Sequence, residues 1–162
     1  MVPPIFLTVY CDSAYFYEKT NSLDAFGHVR FEQGDTLQGF GDLLYYDGNT
    51  KMARLRRNVR LVHGREDENP TILTTDSLNY DRIYSEGYFF EGGKLVDEGN
   101  VLTSDWGQYE TTTREALFNY NVRLVNDDYV ITSDTLHYNT LSKLAHLTGP
   151  SNILSGDSRI YT

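Results

Sequence analysis

Residues 42–61 have the sequence DLLYYDGNTKMARLRRNVRL, and this stretch decides the fold class. Leu44 and Tyr46 share one side of an extended chain. The following Asp47–Lys51 segment consists of turn-forming residues. From Ala53 to Leu61, apolar residues then alternate with arginines and an asparagine. Two runs of alternation around a turn predict a pair of β-strands.

The same pattern recurs along the chain as an imperfect repeat. Each unit opens on an aspartate that follows a small residue and stands four positions before an aromatic one. These aspartates are Asp12, Asp42, Asp76, Asp105, Asp134 and Asp157. One such unit cannot bury its apolar face alone, so stacked units must share an interior. We therefore predict an all-β, repeat-built fold, with residues 1–162 in a single domain.

The position of the apolar residues changes parity at each aspartate. Apolar residues lie at odd offsets before it and at even offsets after it. A flat strand cannot keep both sets on one face, which predicts a bulge or corner at each of the six aspartates. There the carboxylate is expected to accept hydrogen bonds from freed backbone N–H groups. A calcium ladder or a catalytic acid remains the alternative for these carboxylates.

Two irregular segments depart from the simple repeat. Arg65–Pro70 is predicted to be a loop inserted between units. The last unit, at Asp157, has no return strand before Thr162. We therefore expect the array to continue and the chain to be a fragment of a longer protein.

Composition and motifs limit the function. The formal net charge of −9 argues against a free-standing nucleic-acid binder. There is no apolar run long enough for a transmembrane span. The four histidines have no metal-ligand spacing, and no phosphate-cradling loop or nucleophile motif occurs. The sequence predicts a protein that is not an enzyme and needs no cofactor or metal.

One basic cluster stands out in this acidic chain. Our hypothesis for it is contact with an anionic ligand or an acidic partner. Its candidate residues are Arg54, Arg56, Arg57 and Arg60. For Arg60 the alternative is pairing with neighbouring acidic residues on the solvent face, as for Arg30 and Arg123.

An ordered set of segments resembles a known family. The segments are Cys11–Phe16, Leu23–Phe31, Gln33–Leu37, Asp42–Ala53 and Asn58–Leu61. Together they resemble the OstA-like domain that is shared by the periplasmic lipopolysaccharide-transport proteins LptA, LptC and the N-terminal part of LptD. The sequences of these segments are similar to those of the OstA-like proteins of Bacteroidetes. The chain departs from the pattern around residues 84–99, where four glycines interrupt the unit.

The resemblance implies a slit β-jellyroll: two antiparallel sheets around an apolar trough that holds the acyl chains of lipopolysaccharide (lipid A) while the sugars stay outside. It also implies end-to-end joining to other OstA-like domains through edge strands. The location implied is the periplasm, in association with the outer membrane, after removal of a leader. The predicted groove lining, motivated by alternation and by the resemblance, is Phe16, Phe31, Leu44, Leu55, Leu61, Leu78, Tyr80, Phe118, Val122, Leu124, Leu136, Tyr138 and Leu147.

Two other functions remain open. The first is a closed β-solenoid that recruits partner proteins through its edge strands and binds no lipid. The second is a carbohydrate-active β-helix enzyme. That enzyme needs clustered carboxylates on one outward face, and the sequence shows no such cluster.

Overall fold

The computed structural model describes residues 6–65 and 68–162, and within those ranges the chain forms fourteen β-strands and no helix. The strands are β1 Leu7–Tyr10, β2 Ser13–Tyr17, β3 Ser22–Gln33, β4 Leu37–Asp47, β5 Met52–His63, β6 Thr71–Asp81, β7 Glu86–Phe89, β8 Gly93–Asp97, β9 Asn100–Ser104, β10 Trp106–Glu110, β11 Glu115–Val125, β12 Tyr129–Asn139, β13 Ala145–Ser155 and β14 Ser158–Tyr161. The predicted all-β class is confirmed. Of the predicted loop at Arg65–Pro70, residues Glu66 and Asp67 lie outside the described residues, and the remainder contains no strand.

Antiparallel pairing joins all these strands into one hydrogen-bonded sheet. The turns between strands use side-chain caps that the composition predicts. The Asp47 carboxylate accepts hydrogen bonds from the backbone N–H groups of Asn49 at 2.9 Å and Thr50 at 3.2 Å. Asn139 caps Leu141 and Ser142 in the same way. Such Asx turns reverse the chain within a few residues, which keeps successive strands adjacent.

The sheet is folded on itself into two layers. Layer A consists of β1, β8, β9, β14 and the halves of the long strands that pair with them. Layer B consists of β2, β7, β10 and the other halves. Side chains of the two layers meet in the interior, since the rings of Phe31 (layer A) and Tyr80 (layer B) have centroids 6.0 Å apart. This confirms the predicted arrangement of two facing antiparallel sheets. Each long strand crosses both layers, whereas each of the short strands β1, β2, β7, β8, β9 and β10 lies in one layer.

A two-residue bulge makes each bend. Between the pairs Phe26–Leu43 and Val29–Gly41, two residues of β3 stand opposite the single Asp42 of β4. The two are Gly27 and His28, with φ angles of 75° and 47°. Arg57–Asn58 on β5 and Tyr120–Asn121 on β11 form the same bulge, also at positive φ. The extra residue turns the strand and re-aims the side chains beyond it. The aspartate therefore marks the corner, but the bulge itself lies on the neighbouring strand.

Three of the corner carboxylates, those of Asp12, Asp42 and Asp105, bind side chains rather than freed backbone groups. Asp42 accepts from Asn58 Nδ2 at 2.9 Å, and Asp105 accepts from Asn121 Nδ2 at 2.7 Å. Asp12 bonds His28 Nδ1 at 2.8 Å, which raises the pKa of that imidazole. The expected backbone donors are thus replaced by the side chain sixteen residues ahead. The N–H of Asp105 is itself a donor, to the Tyr120 carbonyl at 2.9 Å.

One of the six corner predictions is wrong. Asp157 lies with Gly156 in the tight turn between β13 and β14, where Ser155 pairs with Ser158. A Gly at φ 58° favours such a hairpin turn, so no corner forms there. Tyr120, which strand alternation would place inside, is 68 % exposed because it sits in the corner bulge.

Candidate functional site

Three rows of interior side chains run across the folded sheet, with one residue from each strand. Row one, in layer A, is Val9, Phe31, Gly39, Leu61, Leu73, Leu95, Leu102, Leu124, Ile131 and Ile153. Row two, in layer B, is Ala14, Ala25, Leu44, Leu55, Leu78, Phe89, Gly107, Phe118, Leu136 and Leu147. Row three, also in layer B, is Phe16, Leu23, Tyr46, Ala53, Tyr80, Gly87, Tyr109, Ala116, Tyr138 and Ala145.

Large and small residues fit together along these rows. A Cβ added at Gly39 would collide with the ring of Phe31, and one added at Gly107 would collide with the ring of Phe89. A Cβ at Gly93 would lie 2.7 Å from that same Phe89 ring. The glycines that interrupt the repeat after residue 84 therefore include packing sites for an aromatic side chain. Interiors at native density need such complementary volumes.

The centre of the interior is filled by its own side chains. The eleven predicted lining residues other than Phe16 and Leu147 are at most 3 % exposed. Leu55, Leu78 and Tyr80 are completely buried. Val122 is one of these eleven residues, but it lies two residues nearer the corner than Leu124 of row one. The predicted trough is therefore a packed core along its middle.

At the N-terminal end of the rows no described strand covers the interior side chains, and we call this end the N-terminal mouth. Phe16 lies in row three but is 65 % exposed, since β2 is the outermost described strand of layer B. A cavity of about 450 Å³ lies there, with Phe6, Leu7, Val9, Phe16 and Leu23 as its apolar lining. Lys51 and Arg82 stand at its border. The mouth is thus an apolar surface with cationic side chains beside it.

The C-terminal end is uncovered in a similar way. Leu147 in row two is only partly buried. In layer B, residues 145–148 of β13 have no further strand beside them among the described residues, because β14 pairs only with the layer A half. Each end of layer B therefore presents backbone N–H and C=O groups that no described strand pairs.

Hydrogen bonds close the layers opposite the corners, along a line that we call the polar seam. The Tyr109 hydroxyl lies 2.7 Å from His63 Nδ1 in layer A. The Tyr138 hydroxyl donates to Asp97 at 2.8 Å. Lys143 Nζ donates to the same Asp97 oxygen at 2.6 Å. The buried carboxylate is thus paired and hydrogen-bonded, as a charge at 2 % exposure must be.

The polar seam continues to the N-terminal mouth. Arg82 donates from Nη1 to the Tyr46 hydroxyl at 2.6 Å and from Nε to Gln33 Oε1 at 2.8 Å. Row three tyrosines therefore contact layer A at intervals along the molecule, directly or through Arg82. The slit that the resemblance implies is closed by these bonds.

The electrostatics of the seam centre on His63. Burial, together with the nearby positive charge of Arg114, lowers the pKa of His63 to about 4. Arg114 Nη2 pairs with Glu68 Oε1 at 2.7 Å, and this pairing lowers the pKa of the Glu68 carboxyl to about 2. His63 is therefore neutral at pH 7. Its protonation in acid would place a buried charge beside Arg114.

Sequence reasoning missed most of the polar seam. Tyr80 and Tyr138 were predicted as lining, whereas no hydrogen-bonded role was predicted for His63, Asp97 or Tyr109. A signal was present: row three has Tyr at positions 46, 80, 109 and 138, and a buried tyrosine hydroxyl needs a hydrogen-bond partner. The partners themselves lie 41 and 46 residues away in sequence.

The predicted basic cluster is not brought together. Arg54 and Arg56 lie on the outer side of layer B, Arg57 lies in a corner bulge, and Arg60 lies on the outer side of layer A. Arg56 donates to the carbonyls of Leu55 and Leu78. Arg60 stacks 4.5 Å from the ring centroid of Phe40. Arg54 and Arg56 therefore share one surface, whereas Arg57 and Arg60 lie elsewhere, so the four arginines do not form a common site.

Within residues 6–65 and 68–162 there is no group of three or more His, Cys, Asp and Glu side chains that is arranged to hold a metal ion. The same part of the chain contains no helix with the length and hydropathy that a membrane crossing requires.

Comparisons with known proteins agree with the residues that carry the resemblance. A family model for OstA-like proteins matches residues 7–134. Among solved structures, the chain is similar to LptH, the LptA-homologous periplasmic component of the lipopolysaccharide transport device from Pseudomonas aeruginosa. The identity is 12 %, the match covers 88 % of this chain and 82 % of that chain, and the TM-score is 0.40. No curated protein matches the chain. Because the family model spans well over half of the sequence, this chain belongs to the family of OstA-like proteins.

Proposed function

We propose that this chain is a non-enzymatic periplasmic module that carries lipopolysaccharide acyl chains in its apolar interior, for transport to the outer membrane and assembly there. Membership of the OstA-like family supports the substrate class and the location. The continuous interior rows support a path for an acyl chain, because each runs through ten strand segments without a charged residue.

The N-terminal mouth is the observation that carries this proposal. There the interior rows end on uncovered apolar side chains around a cavity of about 450 Å³. A chain lying on Val9, Phe16 and Leu23 would leave water, which is worth about 0.8 kcal/mol for each buried CH₂ group. Lys51 and Arg82 at the border would face the anionic headgroup. The mouth therefore has the chemistry of an entry site for an anionic lipid.

Beyond the mouth, the acyl chain would have to part the two layers. Phe31, Leu44 and Leu55 fill the space that it would take. The layers are covalently continuous at the corners and only hydrogen-bonded at the polar seam, so separation begins at the seam. The remaining predicted lining residues would then contact the lipid in sequence along the rows.

The uncovered edges suit end-to-end joining with other OstA-like domains. β2 and residues 145–148 of β13 present unpaired backbone groups at opposite ends of layer B. An added strand from a second domain would satisfy them by β-augmentation. Joining would also extend the interior rows across the junction.

A mass measurement of the intact domain with lipid A tests the proposal. The variant Phe16→Glu places a charge in the mouth, and we expect it to lose the bound lipid. Tyr15→Glu is the matched control, because Tyr15 is 64 % exposed on the opposite side of the same strand. Equal lipid binding by both variants would show that the mouth is not the lipid-binding site.

The filled centre favours a second candidate function. An interior whose central side chains are 0–3 % exposed has no free volume for a guest in its resting state. A closed assembly module that binds partner proteins through its edge strands would look the same. It predicts that the unmodified protein binds no lipid A at any concentration, in the same measurement.

A further inference from the structure

The outer side of layer A carries an apolar band. Its members pair in register across six neighbouring strand segments and are all partly exposed. They are Val62, Ile72, Val96, Val101, Val125 and Val130. At about 4.8 Å between strands, the band is roughly 24 Å long. An antiparallel sheet with one solvated face normally places polar residues there, so the band needs an explanation.

A row of cations runs parallel to the band, two residues nearer the corner. It consists of Arg30, Arg60, Lys94 and Arg123, which stand on every second strand, with Phe40, Thr74 and Thr103 between them. Neighbouring cations are therefore about 10 Å apart. Among the described residues, Arg30 alone of the four has a carboxylate within 4.0 Å, that of Glu32 at 3.5 Å. The alternative of acidic pairing thus does not account for Arg60 or Arg123.

The outer side of layer B differs. One of its rows passes through Tyr45, Arg54, Asn79 and Tyr88. A second brings Asp81 opposite Glu86 and Glu86 opposite Glu110. Neither of these layer B rows combines an unbroken apolar band with a cation on every second strand, as layer A does in a chain whose net charge is −9.

We propose that the outer face of layer A docks on an anionic phospholipid bilayer, with the cationic row against phosphates and the apolar band at the headgroup–acyl boundary. Cations beside apolar side chains are complementary to an anionic amphiphile. Tyr10 and Phe40 lie in the cationic row, at the level where aromatic side chains prefer the membrane interface.

The shape of the face favours a bilayer over a protein partner. The apolar band has no aromatic or arginine member, the anchors of protein hot spots, and in the cationic row Arg30 and Arg60 already stack on Tyr10 and Phe40 of this chain. A protein would also need carboxylates in register with cations about 10 Å apart. A bilayer presents phosphates across its whole surface, so they need not match the spacing of the cations. The docking uses neither the interior nor lipopolysaccharide, so it stands apart from the proposed acyl-chain function.

Vesicle flotation tests the docking, with phosphatidylcholine vesicles that contain or lack phosphatidylglycerol. We expect the protein to float with the anionic vesicles and to be released by salt. Each cation near a charged surface is worth about a fivefold change in affinity, so Arg60→Gln/Lys94→Gln/Arg123→Gln should weaken binding about a hundredfold. The variant Val96→Thr/Val101→Thr/Val125→Thr keeps side-chain shape and should also weaken binding.

Arg54→Gln and Leu117→Thr are the matched controls, because both residues lie on the outer side of layer B. They should bind anionic vesicles as the parent does. Urea midpoints for every variant separate loss of docking from loss of folding. The proposal is overturned if the parent does not float, if the layer A and layer B variants weaken binding equally, or if the layer A variants change the sedimentation mass instead. That last result would assign the face to a second copy of the chain.

Discussion

Phe16 and Tyr109 occupy the same position in the repeat, four residues after an aspartate, yet Phe16 is 65 % exposed and Tyr109 is 1 % exposed. Both lie in row three and project to the same side of layer B. Tyr109 has strands on both sides and layer A above it. Among the described strands, Phe16 has a neighbour on one side only. Burial in this fold is therefore set by the neighbouring strands and not by the residue or its motif.

The comparison separates two kinds of apolar surface. The centre is a packed core that stabilises the fold. Among the described residues, the N-terminal mouth continues the same core but has no further strand beside it, and its apolar side chains are exposed. Exposed apolar clusters of this kind mark interaction sites more often than chance positions do.

The largest expected effect compares one aromatic truncation at each place. Phe31→Ala or Phe118→Ala should lower the free energy of unfolding by about 3–5 kcal/mol, because each leaves a cavity in a filled interior. Phe16→Ala should cost less than about 0.5 kcal/mol. Urea unfolding measures all three. A cost at Phe16 comparable to that at Phe31 would mean that the mouth is covered in solution.

A second expectation concerns acid. The folded pKa of His63 is about 4, below the ordinary value of 6.5, so the unfolded chain binds more protons between these limits. Burying neutral His63 therefore contributes at most about 3 kcal/mol to the free energy of unfolding. This contribution is fully present above pH 6.5 and is lost as the pH falls to 4. His63→Gln should remove this part of the pH dependence. His28→Gln should not, since His28 is exposed at a corner and the pKa of its imidazole is raised, which gives the opposite sign. Unfolding curves across this pH range decide between them.

The packing of Phe31 against Gly39 can also be disrupted by enlarging the glycine. Gly39→Ala should destabilise the protein by about 1–3 kcal/mol, because the new Cβ collides with the Phe31 ring. Phe31→Leu in the same chain should recover part of that cost. A double-mutant cycle measures the coupling. Additive costs would show that the two residues do not compete for the same volume.

The smallest expected effect concerns the repeat aspartates. Asp42→Ala should cost about 1 kcal/mol, because Asn58 loses its hydrogen-bond partner at the corner. Asp157→Ala should leave stability unchanged, since that residue occupies a hairpin turn. Thermal unfolding of the two variants is the measurement. Equal losses would restore the interpretation of Asp157 as a corner.

The sequence predicted the architecture because its periodicity is strong. Alternation identified the strands, and the parity change at Asp42 located the corner. The bulge on the neighbouring strand was missed, although Asn58 and Asn121 are residues that tolerate positive φ. At Asp157 the repeat motif misled, because the preceding Gly156 favours a tight turn.

The sequence pattern could not predict whether the interior is open or filled by its own side chains. Alternation assigns Leu55 to an interior face, but it does not say whether the opposite layer fills the space above it. The hydrogen bond between His63 and Tyr109 joins residues 46 positions apart, and no local signal pairs them. Position in the array, which distinguishes Phe16 from Tyr109, is a property of tertiary structure.

The central claim is that lipid enters the apolar interior at the N-terminal mouth, and photo-crosslinking tests it most directly. Crosslinkers are placed at Phe16, Leu55 and Phe118 on the interior rows and at Arg54 and Asn119 on the outer side of layer B. In cells that make lipopolysaccharide, we expect capture at the interior positions, strongest at Phe16, and none at the two outer controls. Capture at Arg54 or Asn119 without capture at Phe16 would contradict the account.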